Sequence, residues 1–392
     1  MNIVAIAGVA DADYSGYPVT SVSLLKIAGL IKALRARDAR EMIIAGHTRR
    51  PDLRTRDIDW GFFRHFFTIL SLTRGGDDSV LRRVARFFER NGMTLKGIAE
   101  IAPDLLTPAG TLAGTFASPQ RIAANRGLDL VRQLGPFDVG QAVVANGSGV
   151  LAIEGAEGTN GLIERTASPH NADSDRVLIK AAKPEQDLRF DLPTIGPETI
   201  ARCISAGITT IALEAGRSLI LARAETLKRA SQAGITVVGL AYAHRTPAIV
   251  RQVRNLPTPL HLRNHTRILA HPQFARDAHK GLQLLALIAE TGARAAIVAR
   301  ENILAIRQSE TLSEFLNRTE QLGQWGDHRQ KSKRNRVLVL TTAPEPGINL
   351  VALIQTSKIA GLAVLDSTHD PSYLDHLISD ADRQTLFVLS PQ

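Results

Sequence analysis

The chain has a single cysteine, Cys203, in 392 residues. That excludes a disulfide framework and any metal site built on thiolates. Aromatic residues are sparse, with two Trp, four Tyr and twelve Phe. They are not interleaved with the basic residues, as they are where single-stranded nucleic acid is bound, so no nucleic-acid partner is expected. No apolar run approaches the roughly twenty residues that a membrane helix needs. The opening Met1–Ala10 is too short for a secretory signal, lacks its basic flank, and is interrupted by Asp11. These absences point to a cytoplasmic protein, free or peripheral to the inner face of a membrane.

What is present is basic. Forty-seven Lys and Arg against 38 Asp and Glu give a net charge of +9, which favours anionic partners such as phosphates, nucleotides or an acidic membrane surface. The length is enough for two or three domains with proper cores. Ile3–Ala7 and Met42–Ala45 read as buried strands, with helical periodicity over Val22–Arg37 between them. Val80–Arg90 reads as an amphipathic helix stopped by Gly92, and Leu95–Ile98 returns as a strand. Strands alternating with helices predict an α/β fold with a parallel, Rossmann-like sheet. Asp104–Thr115, with Pro108 and Gly110, reads as the linker out of this domain.

The most informative segment is KAAKPEQDLRFDLPTIGPET, Lys180–Thr199. Asp187, Arg189 and Asp191 alternate with Leu188, Phe190 and Leu192, so a strand here would turn the charges to one face and the apolar trio to the other. Two carboxylates flanking a guanidinium suit a metal-bound phosphate, the acids holding a hard cation and the arginine forking onto phosphate oxygens. The same pattern equally describes a solvated strand face with a structural ion pair.

The wording of that segment closely resembles the signature of the UDP-2,3-diacylglucosamine pyrophosphatases of lipid A biosynthesis, the LpxI type. Further stretches agree in the same order: GHTRRPDL at Gly46–Leu53, GGDDSVLRRVARFFERNG at Gly75–Gly92, APDLLTPAGTL at Ala102–Leu112, DVGQAVV at Asp138–Val144, LAIEGAEGTN at Leu151–Asn160 and ALEAGRSLIL at Ala212–Leu221. The resemblance runs to about Ala243. It implies hydrolysis of the diphosphate bond of a UDP-linked diacylated glucosamine, giving 2,3-diacylglucosamine 1-phosphate and UMP, with Mg2+ or Mn2+ as cofactor. Under it, Asp187 and Asp191 are the candidates for metal and water, and Arg189, Lys180 and Lys183 for phosphate clamping. Gly46, Arg50, Asp77, Asp78, Gln141, Glu154, Glu157, Thr159, Thr194, Glu214 and Arg217 are the candidates for substrate binding. Glu154 and Glu157 follow a predicted strand and read otherwise as ordinary loop acids. Glu214 and Arg217 are expected to pair beside the site, and Asp77 and Asp78 precede a helix that acids would cap. Asn160 stands where the family pattern leads one to expect aspartate. The glycine-rich turn that opens such proteins is not found ahead of Ile3–Leu25, so the expectation is a truncated N-terminal domain. The alternative reading is a non-catalytic relative that binds nucleotide-lipid or acts as a scaffold.

Past Ala243 the sequence echoes itself. HPQFARDAHKGLQLL from His271 repeats SPQRIAANRGLDLV from Ser118, 153 residues earlier, and Leu304–Ile306 repeats Leu151–Ile153 at the same spacing. Glu310, Arg318 and Thr319 keep register with Glu157, Arg165 and Thr166, and Val337–Pro346 echoes Val177–Gln186. The expected organisation is therefore an N-terminal domain over 1–111, a catalytic domain over 112–245, a linker over 246–259, and a diverged, non-catalytic copy over 260–392. In that copy Leu340 and Ala343 replace Lys180 and Lys183, Arg307 replaces Glu154, and Gly347–Leu353 carries no charge. The run Arg329, Lys331, Lys333, Arg334 and Arg336 reads as a solvated loop. Trp60–Leu72, with five aromatic residues at helical spacing, suits either plain core or an acyl-binding surface at the inner membrane. Homo-oligomerisation is a further expectation.

Overall fold

The structure is a computed structural model. It describes residues 2–46 and 77–391, apart from 9, 11, 24–25, 37, 168–174, 185, 242–261, 321, 323–333, 343–349, 351–353, 355–356, 358, 367–377, 380 and 383–385. Trp60–Leu72, Arg50, the 246–259 linker and the basic residues Arg329, Lys331 and Lys333 lie outside the described residues. The chain divides into two compact units, one running to Pro103 and including Gln186–Asp191, the other holding the two later halves together. The expected boundary at 111 thus moves to 103, and the two expected later domains form one unit.

In the first unit, β1 (Ile3–Ile6) pairs in parallel with β2 (Val19–Val22), and β3 (Glu41–Met42) in parallel with β4 (Thr94–Leu95). Helix Ile27–Arg35 buries Leu30, Ile31 and Leu34, and helix Asp77–Arg90 buries Ala85 and Phe88, on a core with Met93 and Leu95. Spacings of one, three and four residues put these side chains on one face of each helix. Gly92, at φ 86°, ends the second helix as expected. The helical periodicity expected from Val22 begins only at Ile27, because the β-branched Val19-Thr-Ser-Val22 run is taken up as a strand beside β1.

The second unit contains two six-stranded sheets. The first comprises β5 (Gly110–Ala113), β6 (Ala142–Ala145), β7 (Val150–Ile153), β8 (Arg176–Lys180), β10 (Ile208–Glu214) and β12 (Thr236–Leu240), in the order β5-β12-β10-β8-β6-β7. A short parallel pair, β9 (Thr194–Ile195) and β11 (Leu219–Ile220), stands apart. Asp104–Thr115 is therefore no linker. Its Gly110–Ala113 forms an antiparallel edge strand against β12.

The second sheet comprises β13 (Leu262–Asn264), β14 (Ala295–Ala299), β15 (Asn302–Arg307), β16 (Arg336–Thr342), β17 (Ile359–Asp366) and β18 (Phe387–Pro391), in the order β13-β18-β17-β16-β14-β15. Strand order and direction match the first sheet throughout: an antiparallel edge, two parallel pairings, then two antiparallel ones. Ala142 pairs with Lys180 in one sheet and Ala295 with Leu340 in the other.

Alternation along these strands sends Val143, Ala145, Val177 and Ile179 to one core together with Ala296, Val298, Val337 and Val339 of the second sheet. Helices Ser118–Leu134 and Pro272–Leu287 bury their apolar sides in that shared core. The opposite faces have separate cores, Leu162, Ile163, Ile200 and Cys203 for the first sheet and Leu312, Phe315 and Leu316 for the second. A glycine in each central helix allows close approach to its sheet. A Cβ on Gly127 would stand 2.6 Å from Ile179 Cδ1, and one on Gly281 2.5 Å from Val339 Cγ2. Gly127→Ala is accordingly expected to destabilise by about 1–3 kcal/mol through overpacking, although alanine is the better helix former. A melting temperature equal to or above that of the unaltered protein would show the approach to be looser than this.

The echoes in sequence recur as contacts. Arg165 Nε donates to Glu157 and its Nη2 to the Ile153 carbonyl, while Arg318 Nε donates to Glu310 and its Nη2 to the Ile306 carbonyl. Arg176 donates to the Thr166 carbonyl and Arg336 to the Thr319 carbonyl. Arg336 is thus a buried strand residue and not part of a solvated basic loop. Its predecessor in register, Arg176, has the same burial for the same reason.

Candidate active site

In the second unit the chemistry gathers at one end of the first sheet, where β8 and β10 finish, β6 begins and β7 ends. Open α/β sheets bind ligands at the carboxyl ends of parallel strands. Lys180 closes β8, is buried, and donates from Nζ to the Thr194 carbonyl at 3.0 Å. Glu154 follows β7, also buried, and accepts from the Gln141 backbone N–H at 2.6 Å and the Thr159 hydroxyl at 2.8 Å. Gly140 is what lets the carboxylate in, since a Cβ there would stand 2.5 Å from Glu154 Cβ. Gln141, Glu154 and Thr159, each expected from the sequence, therefore form one hydrogen-bonded group.

Glu214, 2% exposed at the end of β10, accepts from Arg132 at 2.5 Å, from the Ala182 backbone N–H at 3.1 Å, and pairs with Arg217 Nε at 3.2 Å. The expected Glu214–Arg217 pair is present. Arg132 was not foreseen, although an arginine beside Leu128, Val131 and Leu134 on the inward side of a helix is the signal that would have found it. Lys183 Nζ contacts Asp138 at 2.6 Å, and Asp138 adopts a left-handed conformation at φ 54°. Lys280, from the second half, feels the charges of Asp138 and Lys183 and is lowered in pKa chiefly by burial.

Glu157 does not join Glu154. It pairs with Arg165 at 3.1 Å and lies 3.8 Å from Arg318 of the second half, so it belongs to the junction of the two sheets. That junction also carries a backbone hydrogen bond from Ala156 to Leu304. Burial lowers the pKa of Arg165.

Asp187, Arg189 and Asp191 lie in the first unit, and they are not a strand. Leu188–Phe190 is a turn, with the Phe190 N–H bonded to the Asp187 carbonyl at 3.1 Å. The Asp187 carboxylate accepts from the Arg189 backbone N–H at 3.1 Å, two residues on, which folds the chain on itself where alternation predicted extension. Asp187 and Arg189 consequently face each other, at 2.9 Å to Nε and 2.7 Å to Nη2, while Nη1 reaches Glu89 at 3.0 Å. Gly97 supports the turn, a Cβ there meeting Arg189 Cα at 3.2 Å, and Phe190 packs on the first unit's core.

The Arg189 hydrogen bonds hold the Asp187 carboxyl below the usual aspartate range, and Asp187 in turn raises Arg189. Because the folded value is depressed, the pair's stabilisation is complete above the ordinary aspartate pKa of about 3.9 and is lost only as pH falls through the lower folded value. Asp191 accepts from Gln186 at 2.5 Å.

A divalent cation does not fit Asp187 and Asp191 as they stand. Both Asp187 oxygens are taken by Arg189, and among the described residues no group of three or more His, Cys, Asp or Glu side chains is placed to hold a metal. Gly46 adopts φ 102° after β3, and Asp77 and Asp78 are the first two residues of their helix, inside it where capping was expected. No described helix is long and apolar enough to cross a membrane.

Residues 1–105 match the LpxI N-terminal domain and residues 108–238 the LpxI C-terminal domain. The UDP-2,3-diacylglucosamine pyrophosphatase LpxI of Caulobacter vibrioides (strain ATCC 19089 / CIP 103742 / CB 15) is 34% identical over 245 residues, spanning 61% of this chain and 88% of that protein. The chain belongs to the LpxI family. Both α/β regions of the family are therefore present, and the Gln141–Glu154–Thr159 group, Lys180 and Glu214 all fall inside the LpxI C-terminal match. A Bacillus cereus protein related to NIF3 is 11% identical, with 59% of this chain and 86% of that one covered, but at a TM-score of 0.13 the likeness carries no weight.

Proposed function

We propose that this LpxI-family chain hydrolyses the diphosphate bond of UDP-2,3-diacylglucosamine, giving UMP and 2,3-diacylglucosamine 1-phosphate. The observation that carries the proposal is the burial of Lys180 and Glu214 at the carboxyl ends of β8 and β10, and of Glu154 after β7 at the same end of the sheet, inside the LpxI C-terminal match. In the reaction a water oxygen bonds to one phosphorus, the phosphorus–oxygen bond of the bridge breaks, and negative charge collects on the departing phosphate. Cations held in advance stabilise that charge most effectively in a water-poor site. Lys180, Lys183 and Arg189 are the proposed clamps, Asp191 the proposed carboxylate for the attacking water, and Asp187 the residue that fixes the guanidinium of Arg189. Glu214 is proposed to hold the Ala182 backbone and Arg132 in place next to Lys180.

Magnesium or manganese dependence is proposed from the chemistry of a diphosphate alone. The lipid substrate supports residence at the inner-membrane surface. Residues 260–392 are proposed to be a diverged copy of the catalytic half without its own hydrolytic activity. The matching strand order, the Arg165/Arg318 pairing and the exchange of Lys180 for Leu340 support this.

Purified protein with magnesium or manganese is expected to release UMP from UDP-2,3-diacylglucosamine, and dialysis against a chelator to abolish release until metal is restored. One observation favours the non-catalytic reading, namely that Asp187 is wholly engaged by Arg189. Substrate binding without turnover under either metal would decide for it.

A further inference from the structure

Glu154 and Thr159, joined by a hydrogen bond in the candidate site, are separated by a tight turn. Gly158 reverses the chain at φ 73°, and its N–H donates to the Gly155 carbonyl at 3.2 Å. The 2.8 Å bond from the Thr159 hydroxyl to the Glu154 carboxylate is therefore only as well placed as this Gly155–Gly158 turn. Within the first half, Arg165 Nε holds the turn by one carboxylate oxygen of Glu157, at 3.1 Å.

Three further contacts to the turn come from the second half. The first is a backbone bond. On β15, Ala305 pairs with Ile297 and Ile303 with Val298, so Leu304 is an extra residue that bulges from the ladder. Its carbonyl accepts from the Ala156 N–H at 2.9 Å. The second is a close approach: a Cβ on Gly155 would stand 2.5 Å from that carbonyl oxygen and 3.2 Å from Ala305 Cα. The third is electrostatic. Arg318 uses Nε and Nη2 on Glu310 and the Ile306 carbonyl, and turns Nη1 toward Glu157 Oε2 at 3.8 Å. Both of these atoms are buried, and neither hydrogen-bonds to a described group, so their attraction acts with little screening. Glu157 thus gives one oxygen to its own half and the other to the neighbouring half.

We propose that the second half is a positioning element for the candidate active site. The Leu304 carbonyl and the Arg318 guanidinium hold the Gly155–Gly158 turn, and through it the Glu154–Thr159 pair, in place for substrate. Arg318 acts through Glu157 and touches no substrate. The role in turnover rests on the hydrolase reading above, whereas the clamp on the turn does not. It gives residues 260–392 a task that needs no site of their own.

The test combines hydrogen exchange by mass spectrometry on the full chain with steady-state kinetics on UDP-2,3-diacylglucosamine. The variants are Gly155→Ala, Arg318→Lys, Arg318→Met, Glu157→Gln and the double variant Glu157→Gln/Arg318→Met. Gly155→Ala, which pries the turn from Leu304, and Arg318→Met should each speed exchange over residues 154–160 by about tenfold. A fall of about tenfold in kcat/KM is expected in both, and a smaller one in Arg318→Lys, which keeps the charge. In the Glu157→Gln background Arg318→Met should add little more, because its route to the turn is already cut. Should Arg318→Met fail to fold, Gly155→Ala decides, since it leaves Arg318 and Glu310 untouched. Unchanged exchange over residues 154–160 in folded Gly155→Ala overturns the proposal, as do fully additive effects in the double variant. If the unaltered protein binds substrate without turnover, the hydrolase reading fails and the exchange measurement still decides the clamp.

Discussion

Asp187→Ala is expected to lower UMP release by about 100-fold or more while leaving the melting temperature nearly unchanged. The Arg189 side chain owes its direction to Asp187, which takes hydrogen bonds from its backbone N–H, Nε and Nη2. Without that carboxylate Glu89, which is exposed, is the one acidic side chain among the described residues that still pairs with the guanidinium. A misplacement on the order of 1 Å in a charged positioning group costs about 100-fold in rate. Arg189→Lys should behave similarly, because it keeps the charge and loses the fork. Phe190→Ala supplies the contrast. It truncates a partly buried ring that packs on the first unit's core, and should cost about 2 kcal/mol of stability, less than full burial would, with turnover largely kept at low temperature. Initial rates and melting curves on the three variants separate the roles. Slow turnover in Phe190→Ala alongside an active Asp187→Ala would remove Arg189 from the chemistry.

The second large effect is on stability. Arg132→Ala is expected to destabilise the second unit by about 3 kcal/mol, because it strips the principal cation from a carboxylate that is 2% exposed. Arg217 and the Ala182 N–H remain on Glu214 and keep the cost at the low end of the range for broken buried pairs. Combining Arg132→Met with Glu214→Gln should recover more than half of the loss, since the amide oxygen still accepts from Ala182 and no buried charge is left alone. Denaturant unfolding of single and double variants measures the coupling. A change below about 0.5 kcal/mol in Arg132→Ala would mean that water reaches Glu214 in the native protein.

The contrast between these two sites shows what the sequence made legible. The likeness of the two halves was readable because it left several markers at a constant spacing: Glu310 and Arg318 stand 153 residues after Glu157 and Arg165, and each arginine Nε donates to its glutamate. Gln141, Glu154 and Thr159 were readable as members of quoted motifs, though not as a single group, since Gly140 sets their closeness and no spacing rule conveys it. The Asp187–Asp191 alternation was misread. Five residues of period two fit a strand, but an aspartate that can bind the N–H two residues on fits a turn as well, and the flanking Pro184 and Pro193 favoured the turn. Arg132 and Arg336 escaped because buried arginines are rare enough that helical or loop context assigns them to solvent.

The shared core has a consequence for concentration. Val143 and Val177 meet the same apolar interior as Ala296 and Val337, and a backbone hydrogen bond from Ala156 to Leu304 fastens the junction. A pairing of two like folds made within one chain is unimolecular, so dilution cannot separate its members and no partner need be found. The first half therefore keeps its neighbour at nanomolar as at micromolar levels, a constancy that a pair of separate chains would lose at its dissociation constant.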